Sequence, residues 1–461
     1  MINIKSDSRK VKPGDIFVAL KGISSNGSEY INNAIENGAS KLIVEEEGNY
    51  GIPYEVVPDS RKYLTEYLNN NYNHYLDEMT LIGITGTNGK TTSAFLIYDA
   101  LNKLGYKCGY IGTIGFYLDK KVSDLPNTSP DITEIYDMLI TAYELGYRYM
   151  TLEVSSQGLD MGRLEGIKFD YALFTNLTQD HLDYHKTMGN YALAKQKLFY
   201  SLKETGKAII NYDDKYKEYF LVEQNNNITY GFDGGDYQVI SYDMNHGGTR
   251  FIYKHNGVEQ VIVSSLLGKY NIYNLLTTIT VLSEIGIDVD DIRDVVLKLK
   301  APSGRMDMIK YGDSSIIIDY AHTPDAVEKI IKTMKEVTDG NIYTIFGCTG
   351  DRDRTKRPIM MNIVTSLSNY VIVTNDDPHN EDPNQIVNDM LDGISADNYE
   401  ICLDRKEAII KGVNLLNSKD VLLILGKGHE EVMIVKDNKK KPFNDRKVVM
   451  EYLESISERI N

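Results

Sequence analysis

The stretch Gly83-Ile84-Thr85-Gly86-Thr87-Asn88-Gly89-Lys90-Thr91-Thr92 follows directly on a short apolar run, residues 81–84, and reads as strand, loop and helix. Holding a phosphate requires backbone N–H groups that converge on an anion, glycines that let the backbone approach, a helix N-terminus, a lysine, and a hydroxyl for magnesium. Gly86, Gly89, Lys90 and Thr91 supply that set, within a loop completed by Thr87, Asn88 and Thr92. The common loop, G-x-x-x-x-G-K-[ST], is longer than this one, so the stretch is a phosphate-loop variant. Beyond it Leu96, Ile97, Ala100, Leu101 and Leu104 recur at helical spacing, which predicts a helix starting at the lysine. A glycine-rich turn with an incidental lysine would need neither that strand nor that helix.

At 461 residues the chain exceeds one ordinary core. A prior of roughly 150 residues per domain predicts about three. Apolar residues at 42% and charged residues at 25% are ordinary for a globular protein. A net charge of −16 and a pI near 5.1 exclude a general nucleic-acid or anionic-membrane surface, which needs basic patches. Positive charge for a phosphate ligand must therefore be concentrated locally. Cys108, Cys348 and Cys402 are odd in number and far apart, with no C-x-x-C pair, which predicts reduced thiols in a cytoplasmic protein. Residues 1–18 lack the apolar core of a signal peptide, and no apolar run approaches membrane-spanning length, so the expectation is a soluble protein that stays inside the cell.

Taken in order, residues 1–79 hold a turn and a strand-like run, Pro13-Gly14-Asp15-Ile16-Phe17-Val18-Ala19, and predict a small α/β domain. The Asn- and Tyr-rich segment 69–78 reads as a linker. Residues 80–300 form a second block, in which apolar runs at 107–114, 149–154 and 171–174 alternate with helical patterns such as 131–145. That alternation is the signature of a parallel α/β sheet, where ligands gather at the carboxyl ends of the strands. Glu153-Val154-Ser155-Ser156 and the run from Thr175 to His181 stand at such ends. Residues 301–461 repeat the pattern, with strands at 315–320, 341–346, 370–374 and 421–425 and helices at 325–337, 358–367, 385–394 and 406–416. This third block is Rossmann-like but carries no G-x-G-x-x-G.

A phosphate loop with magnesium-binding groups and no evident protein nucleophile points to phosphoryl transfer, where catalysis is mostly positioning and charge neutralisation. Lys90 would hold the β- and γ-phosphates of a nucleotide, and Thr91 with Glu153 one magnesium, a hard cation that prefers oxygen. His181, just past its strand, is a candidate for a second divalent ion; alone it would read sooner as a hydrogen-bonded structural histidine. Arg305 and Arg352 are candidates for anion contacts from the third block, against a reading as surface arginines.

Together, Gly86-Thr87-Asn88-Gly89-Lys90-Thr91-Thr92, Glu153-Val154-Ser155-Ser156, Asp180-His181-Leu182-Asp183-Tyr184-His185, Tyr191-Ala192-Leu193-Ala194-Lys195 and Asp319-Tyr320-Ala321-His322-Thr323-Pro324-Asp325 resemble the Mur ligases of peptidoglycan synthesis. Within that family the resemblance is to the UDP-N-acetylmuramoyl-tripeptide synthetases, and it runs in order from Asp7-Ser8-Arg9 to Gly426-Lys427-Gly428-His429-Glu430. It implies three domains: an N-terminal one for uridine, a central ATPase, and a C-terminal Rossmann-like one that closes over the site. It also implies a reaction with ATP and Mg2+ in which a dipeptide carboxylate attacks the γ-phosphate. The acyl phosphate so formed is then attacked by the amine of an incoming amino acid, which displaces phosphate. Ser8 with Ile23, Ser24 and Ser25 should meet the uridine end, and Asn127, Thr128, Ser129, Ser155 and Arg163 the muramoyl-dipeptide. Asn274, Arg305 and His322 fall where the family contacts ATP. Lys195 matches a lysine that the family carbamylates, turning an ammonium into a carboxylate for the second magnesium. Without its Tyr-x-x-Ala-Lys setting it would be a solvated helix lysine.

Two departures bear on the substrates. Met161 stands where a glutamine is expected beside Arg163, and Gln157 replaces a histidine. Where diaminopimelate enzymes of the group carry Asp-Asn-Pro-Arg, this chain has Asp376-Asp377-Pro378-His379. A histidine lacks the bidentate fork that suits a distal carboxylate, and Asp376, Asp377, Glu381 and Asp382 give the place an acidic character that favours a bare ammonium. Yet Arg352, Gly426 and Glu430 match positions that hold meso-diaminopimelate. The acceptor is therefore expected to be a diamino acid, with lysine, ornithine and the diaminopimelate isomers all open. The rival readings are another ligase of this type, acting on folylpolyglutamate or cyanophycin, and a regulatory P-loop ATPase that ligates nothing. Small-molecule substrates, no nucleic acid, no membrane span and a monomer complete the expectation.

Overall fold

The computed structural model describes residues 2–21, 26–221, 226–245 and 247–460. Its centre is an eleven-stranded sheet in the order Val258–Ser264, Gly248–His255, Tyr237–Asn245, Asn226–Gly231, Leu202–Asn211, Phe169–Phe174, Thr80–Thr85, Tyr149–Glu153, Cys108–Gly112, Gly115–Tyr117 and Lys121–Ser123. From Tyr237–Asn245 to Cys108–Gly112 all neighbours are parallel, and antiparallel hairpins extend both edges. The expected strands are near-continuous apolar runs because both faces are covered. Successive residues alternate between two cores: Leu81, Leu152, Ala172 and Phe174 face one, while Ile82, Ile84, Leu173 and Ile209 face the other. Helices Ile132–Glu144 and Met188–Tyr200 cover the first face, and Lys90–Lys103, Lys269–Ile285 and Val289–Val296 the second.

The N-terminal strands Ile4–Lys5, Ile16–Val18, Lys41–Val44 and Tyr54–Val56 make a parallel four-stranded sheet. Its residues Ile2, Ile4, Val18 and Ile43 join the same core as Leu81 and Ile135, so this block is packed onto the central one. Lys5 is buried against Asp137 of the central block, and Ser6 donates to Asp131 at 2.6 Å. The segment 69–78 is not a linker. It is the second half of an eighteen-residue helix, Ser60–Asp77, capped by Asp59, whose Leu64, Leu68 and Leu76 are buried. Its asparagines have low helix propensity, but Asn69 and Asn73 accept hydrogen bonds from the Tyr136 hydroxyl at 2.9 and 3.1 Å, and tertiary contact overrides propensity.

The third sheet runs Asp307–Tyr311, Ser314–Asp319, Val421–Leu425, Ile342–Phe346, Tyr370–Val373 and Tyr399–Ile401, with only the first pair antiparallel. Helices Pro324–Val337, Lys356–Leu367 and Pro383–Leu391 pack on one face, Arg405–Leu415 and Asp445–Ile460 on the other. Three α/β units, two of them doubly covered parallel sheets, are therefore present as expected. All three cysteines are buried and unbridged. Among the described residues no helix is long and apolar enough to cross a membrane.

Candidate active site

The strand Thr80–Thr85 lies between Phe169–Phe174 and Tyr149–Glu153, so its loop meets the carboxyl ends of both neighbours. The loop backbone is braced from the Phe174 side. Thr87 N–H donates to Asn176 O at 2.8 Å, Asn88 N–H to Asn176 Oδ1 at 3.0 Å, and the Thr175 hydroxyl to Asn88 O at 2.7 Å. Gly86 has φ +148° and a β-carbon there would overlap the Thr175 hydroxyl; Gly89, at φ +85°, faces Asn274 Oδ1. Only glycine fits either place. Helix Lys90–Lys103 then begins at the lysine, its first N–H groups open to a cavity of about 670 Å³.

That cavity is lined by Thr87 to Thr92, Asn274, Arg305 and His322, the expected nucleotide set apart from Gly86, together with Glu153 and His181. Lys90 Nζ donates to the carbonyls of Gly86 and Thr87 at 2.9 and 2.8 Å, and burial lowers its pKa. The Thr91 hydroxyl donates to Glu153 Oε2 at 2.9 Å. Glu153, which is 1% exposed, is further held by Thr113 through its N–H at 2.9 Å and its hydroxyl at 3.0 Å, and by the Tyr110 hydroxyl. Thr91 and Glu153 thus present two oxygens side by side, a donor set that fits Mg2+. Arg305 lies over the Tyr320 ring at 4.4 Å and reaches Thr91 Oγ1 at 3.4 Å, while its buried Nε has no partner among the described residues.

Lys195 is 1% exposed and donates to Gly86 O at 2.7 Å, its Nζ 4.5 Å from the centre of the Tyr191 ring. Burial, and then the neighbouring Lys90, hold its pKa well below the ordinary lysine value. As an amine it offers nitrogen to a hard cation. The second metal set with His181 therefore fits Mg2+ only when Lys195 carries a carboxylate, and a neutral amine is the nucleophile such a modification needs. His181 is left-handed at φ 53°, backed by Asp180, and burial pushes its pKa down. His322 donates Nδ1–H to Tyr320 O at 2.7 Å and is pushed down to about 4 by burial, which leaves it neutral.

A second cavity, of about 1700 Å³, lies between the N-terminal and central blocks and is lined by Ser8, Arg61, Asn127, Met161 and Arg163. Ile23, Ser24 and Ser25 lie outside the described residues. Thr128 faces the nucleotide cavity instead, 3.1 Å from the Thr113 hydroxyl. Ser129 and Ser155 have their hydroxyls engaged within the protein: Ser129 donates to Glu153 O, and Ser155 caps the helix Ser156–Asp160. Met161 Sδ accepts from Arg163 Nη2 at 3.4 Å, a weak substitute for the expected amide.

The residues expected at the acceptor amino acid divide. Arg352 is exposed and lines the nucleotide cavity. Asp376, Asp377 and Glu430 instead surround Lys427, whose Nζ lies 2.8 Å from Asp377 Oδ1, 2.7 Å from Glu430 Oε2 and 4.0 Å from Asp376 Oδ1. Pro378 is buried beside them, and Gly426 leaves no room for a β-carbon against Asp376. The acidic residues of this neighbourhood are thus engaged within the protein. Lys427 pairs with Asp377 and Glu430 and lies near Asp376, Arg357 grips Glu381 through two 2.8 Å bonds, and Asp382 caps the helix Pro383–Leu391. The sequence hides this because each charge and its partner come from different loops. His379 is half-buried at φ 48°, its N–H on Ile434 O at 3.2 Å and its ring 3.5 Å from Asn438 Oδ1.

Tyr110, Thr113 and Lys427 were not among the expected site residues. Thr113 sits at the end of a predicted strand, the signal that would have found it.

Three family models match along the chain: "Mur ligase family, catalytic domain" over residues 2–80, "Mur ligase middle domain" over 84–282, and "Mur ligase, glutamate ligase domain" over 304–428. A UDP-N-acetylmuramoyl-L-alanyl-D-glutamate–2,6-diaminopimelate ligase of Clostridium acetobutylicum is 38% identical over 466 residues, covering 98% of this chain and 95% of that one. The ligase of the same activity from Fusobacterium nucleatum is 40% identical over 454 residues, 96% and 92% of the two chains. A solved structure bearing that ligase name superposes with a TM-score of 0.70 at 33% identity, over 99% of this chain and 95% of the other. At this identity and coverage, with all three blocks matched in order, the chain belongs to the Mur ligase family.

Proposed function

We propose that the protein joins a diamino acid to the D-glutamyl carboxylate of UDP-N-acetylmuramoyl-L-alanyl-D-glutamate, with ATP cleaved to ADP and phosphate. The observation that carries the reading is the corner formed by Lys90, Thr91, Glu153 and Arg305, where cationic and metal-binding groups from two blocks face one cavity. A carboxylate is a poor electrophile, and its oxygen must attack the γ-phosphorus while the bond to ADP breaks. Lys90 and Arg305 offset the charge that develops on the transferring group, and Thr91 and Glu153 would hold the first Mg2+. Mg2+ supplies charge neutralisation as a Lewis acid when bound. The acceptor amine then forms the amide bond as phosphate leaves with the former carboxylate oxygen.

The larger cavity, with Ser8, Asn127 and Arg163, would take the nucleotide-sugar end. Arg352, Gly426 and Glu430 would contribute to the acceptor end beside the loop of Asp376, Asp377, Pro378 and His379. The names of the relatives put 2,6-diaminopimelate first as acceptor. The buried, unbridged thiols fit a reducing cytoplasm, and we take the enzyme to act there as a monomer.

The test is phosphate release from ATP and Mg2+ with the muramoyl-dipeptide and, separately, meso- and LL-diaminopimelate, L-lysine and L-ornithine, with products identified by mass spectrometry. One tripeptide product is expected. ATP binding without product from any acceptor would move the assignment to another ligase of the family, and ATP hydrolysis independent of the dipeptide to a regulatory ATPase.

A further inference from the structure

Lys356, the first residue of helix Lys356–Leu367, is a lysine in an adverse place. It is only 9% exposed and stands at a helix N-terminus, so burial and the helix dipole both oppose its charge. Its Nζ donates to one backbone carbonyl, His322 O at 3.2 Å, and its carboxylate partner is Asp180 Oδ1 at 3.7 Å. Asp180 belongs to the central block, so the pair crosses the seam between the central block and the third one. Asp180 is itself 7% exposed, and it acts on its neighbour twice: Oδ1 accepts the His181 N–H at 3.0 Å, and Oδ2 lies 3.4 Å from His181 Nε2. His181 needs that support. Its left-handed backbone, φ 53°, is unfavourable for a residue with a β-carbon. The imidazole lines the nucleotide cavity and Lys356 does not.

We propose that Lys356 is a positioning residue for the phosphoryl-transfer step: by pairing with Asp180 across the seam, it fixes the His181 ring against the nucleotide cavity, so that His181 is aligned only while the third block is docked. The inference rests on the ligase reading of that cavity. His181 would be the group in contact with the metal-bound nucleotide, and Lys356 acts through Asp180 without touching substrate.

The test compares Lys356→Met, Lys356→Arg, Asp180→Asn and the double variant Lys356→Met/Asp180→Asn with the parent. Lys356→Met should lower kcat by about 30-fold with KM for ATP within about 3-fold, and Lys356→Arg should recover most of the loss. Asp180→Asn should lose a similar factor, and the double variant should be no worse than the poorer single one, because both changes cut the same link. Mn2+ titration by electron paramagnetic resonance, with a non-hydrolysable ATP analogue present, should show weaker Mn2+ binding in both single variants. This measurement needs no ligation, so it separates failure of the proposal from failure of the ligase reading, and Asp180→Asn carries it alone if Lys356→Met does not fold. A kcat for Lys356→Met within about 2-fold of the parent, losses that multiply in the double variant, a loss confined to KM for ATP, or unchanged Mn2+ binding in Asp180→Asn would each overturn the proposal.

Discussion

Buried or half-buried lysines occupy both ends of this molecule's polar machinery, and their surroundings are opposite. At the phosphate loop, Lys90 and Lys195 have backbone carbonyls for hydrogen-bond partners, and burial drives both pKa values down. In the third block, Lys427 is ringed by Asp376, Asp377 and Glu430, and its pKa is raised although the side chain is fully buried. At the first corner Glu153 and Asp180 act on the lysines without a direct ion pair, and an arriving polyphosphate supplies close counter-charge. The second carries its own counter-charge, three carboxylates around one ammonium, and behaves as framework. One residue type therefore serves binding in one place and architecture in the other, and its carboxylate neighbours decide which.

The contrast is broken most directly by removing each lysine in turn. Lys90→Met should lower kcat/KM by about 10³-fold, the scale of losing a charge-stabilising donor at a reacting centre. Its melting temperature should change little, since burial of the ammonium offsets what its bonds to the Gly86 and Thr87 carbonyls contribute. Phosphate release and calorimetry on the same preparation check both halves. Lys427→Met should do the reverse. Three carboxyl groups lose their counter-charge, and the expected cost is about 3–5 kcal/mol of stability, read as a denaturant midpoint. A Lys427→Met protein as stable as the parent would end the assignment of that cluster to framework.

The same distinction explains what the sequence shows by itself. The phosphate loop is legible because strand, glycines, lysine and helix are consecutive, and the parallel strands because burial on both faces leaves unbroken apolar runs. Ser60–Asp77 is hidden by asparagines whose partner, Tyr136, lies in another helix. The partners of the acidic run near Asp376 are hidden for the same reason: Lys427 and Arg357, which pair with part of it, are remote in sequence. Lys356 escapes notice because its role depends on Asp180 in a different block. Local motifs survive reading in one dimension, whereas the sign of a cluster does not.

A smaller effect sharpens the picture of the framework corner. Burial pushes the Glu430 carboxyl up to about 7, against the pull of Lys427. The unfolded chain releases that proton near 4.5, so between these values the folded state holds more protons than the unfolded one. Stability from this group is full below the lower value and is lost as pH rises through the upper one. Glu430→Gln, which stays neutral, should flatten the fall in denaturant midpoint across that window. Equal slopes in parent and variant would mean that Glu430 is already ionised throughout and that Lys427 compensates it fully.

The smallest effect concerns His379, where the two kinds of corner meet the substrate. Because the oxygens of Asp376, Asp377, Glu381 and Asp382 are all engaged within the protein, acceptor choice falls to groups with unused hydrogen-bonding capacity. His379 is one: among the described residues its ring has a single long hydrogen-bond contact, to Asn438. An imidazole can offer one hydrogen bond to a distal carboxylate, whereas a guanidinium offers two in parallel. His379→Arg should therefore lower KM for meso-diaminopimelate by about 3–10-fold and leave KM for L-lysine unchanged or raised, with kcat little affected, since the added bond is made equally in ground and transition states. Steady-state kinetics with both acceptors decide it. An improvement shared by lysine would show that the arginine acts on the loop and not on the distal carboxylate, and acceptor choice would then have to lie with Arg352 and its exposed loop.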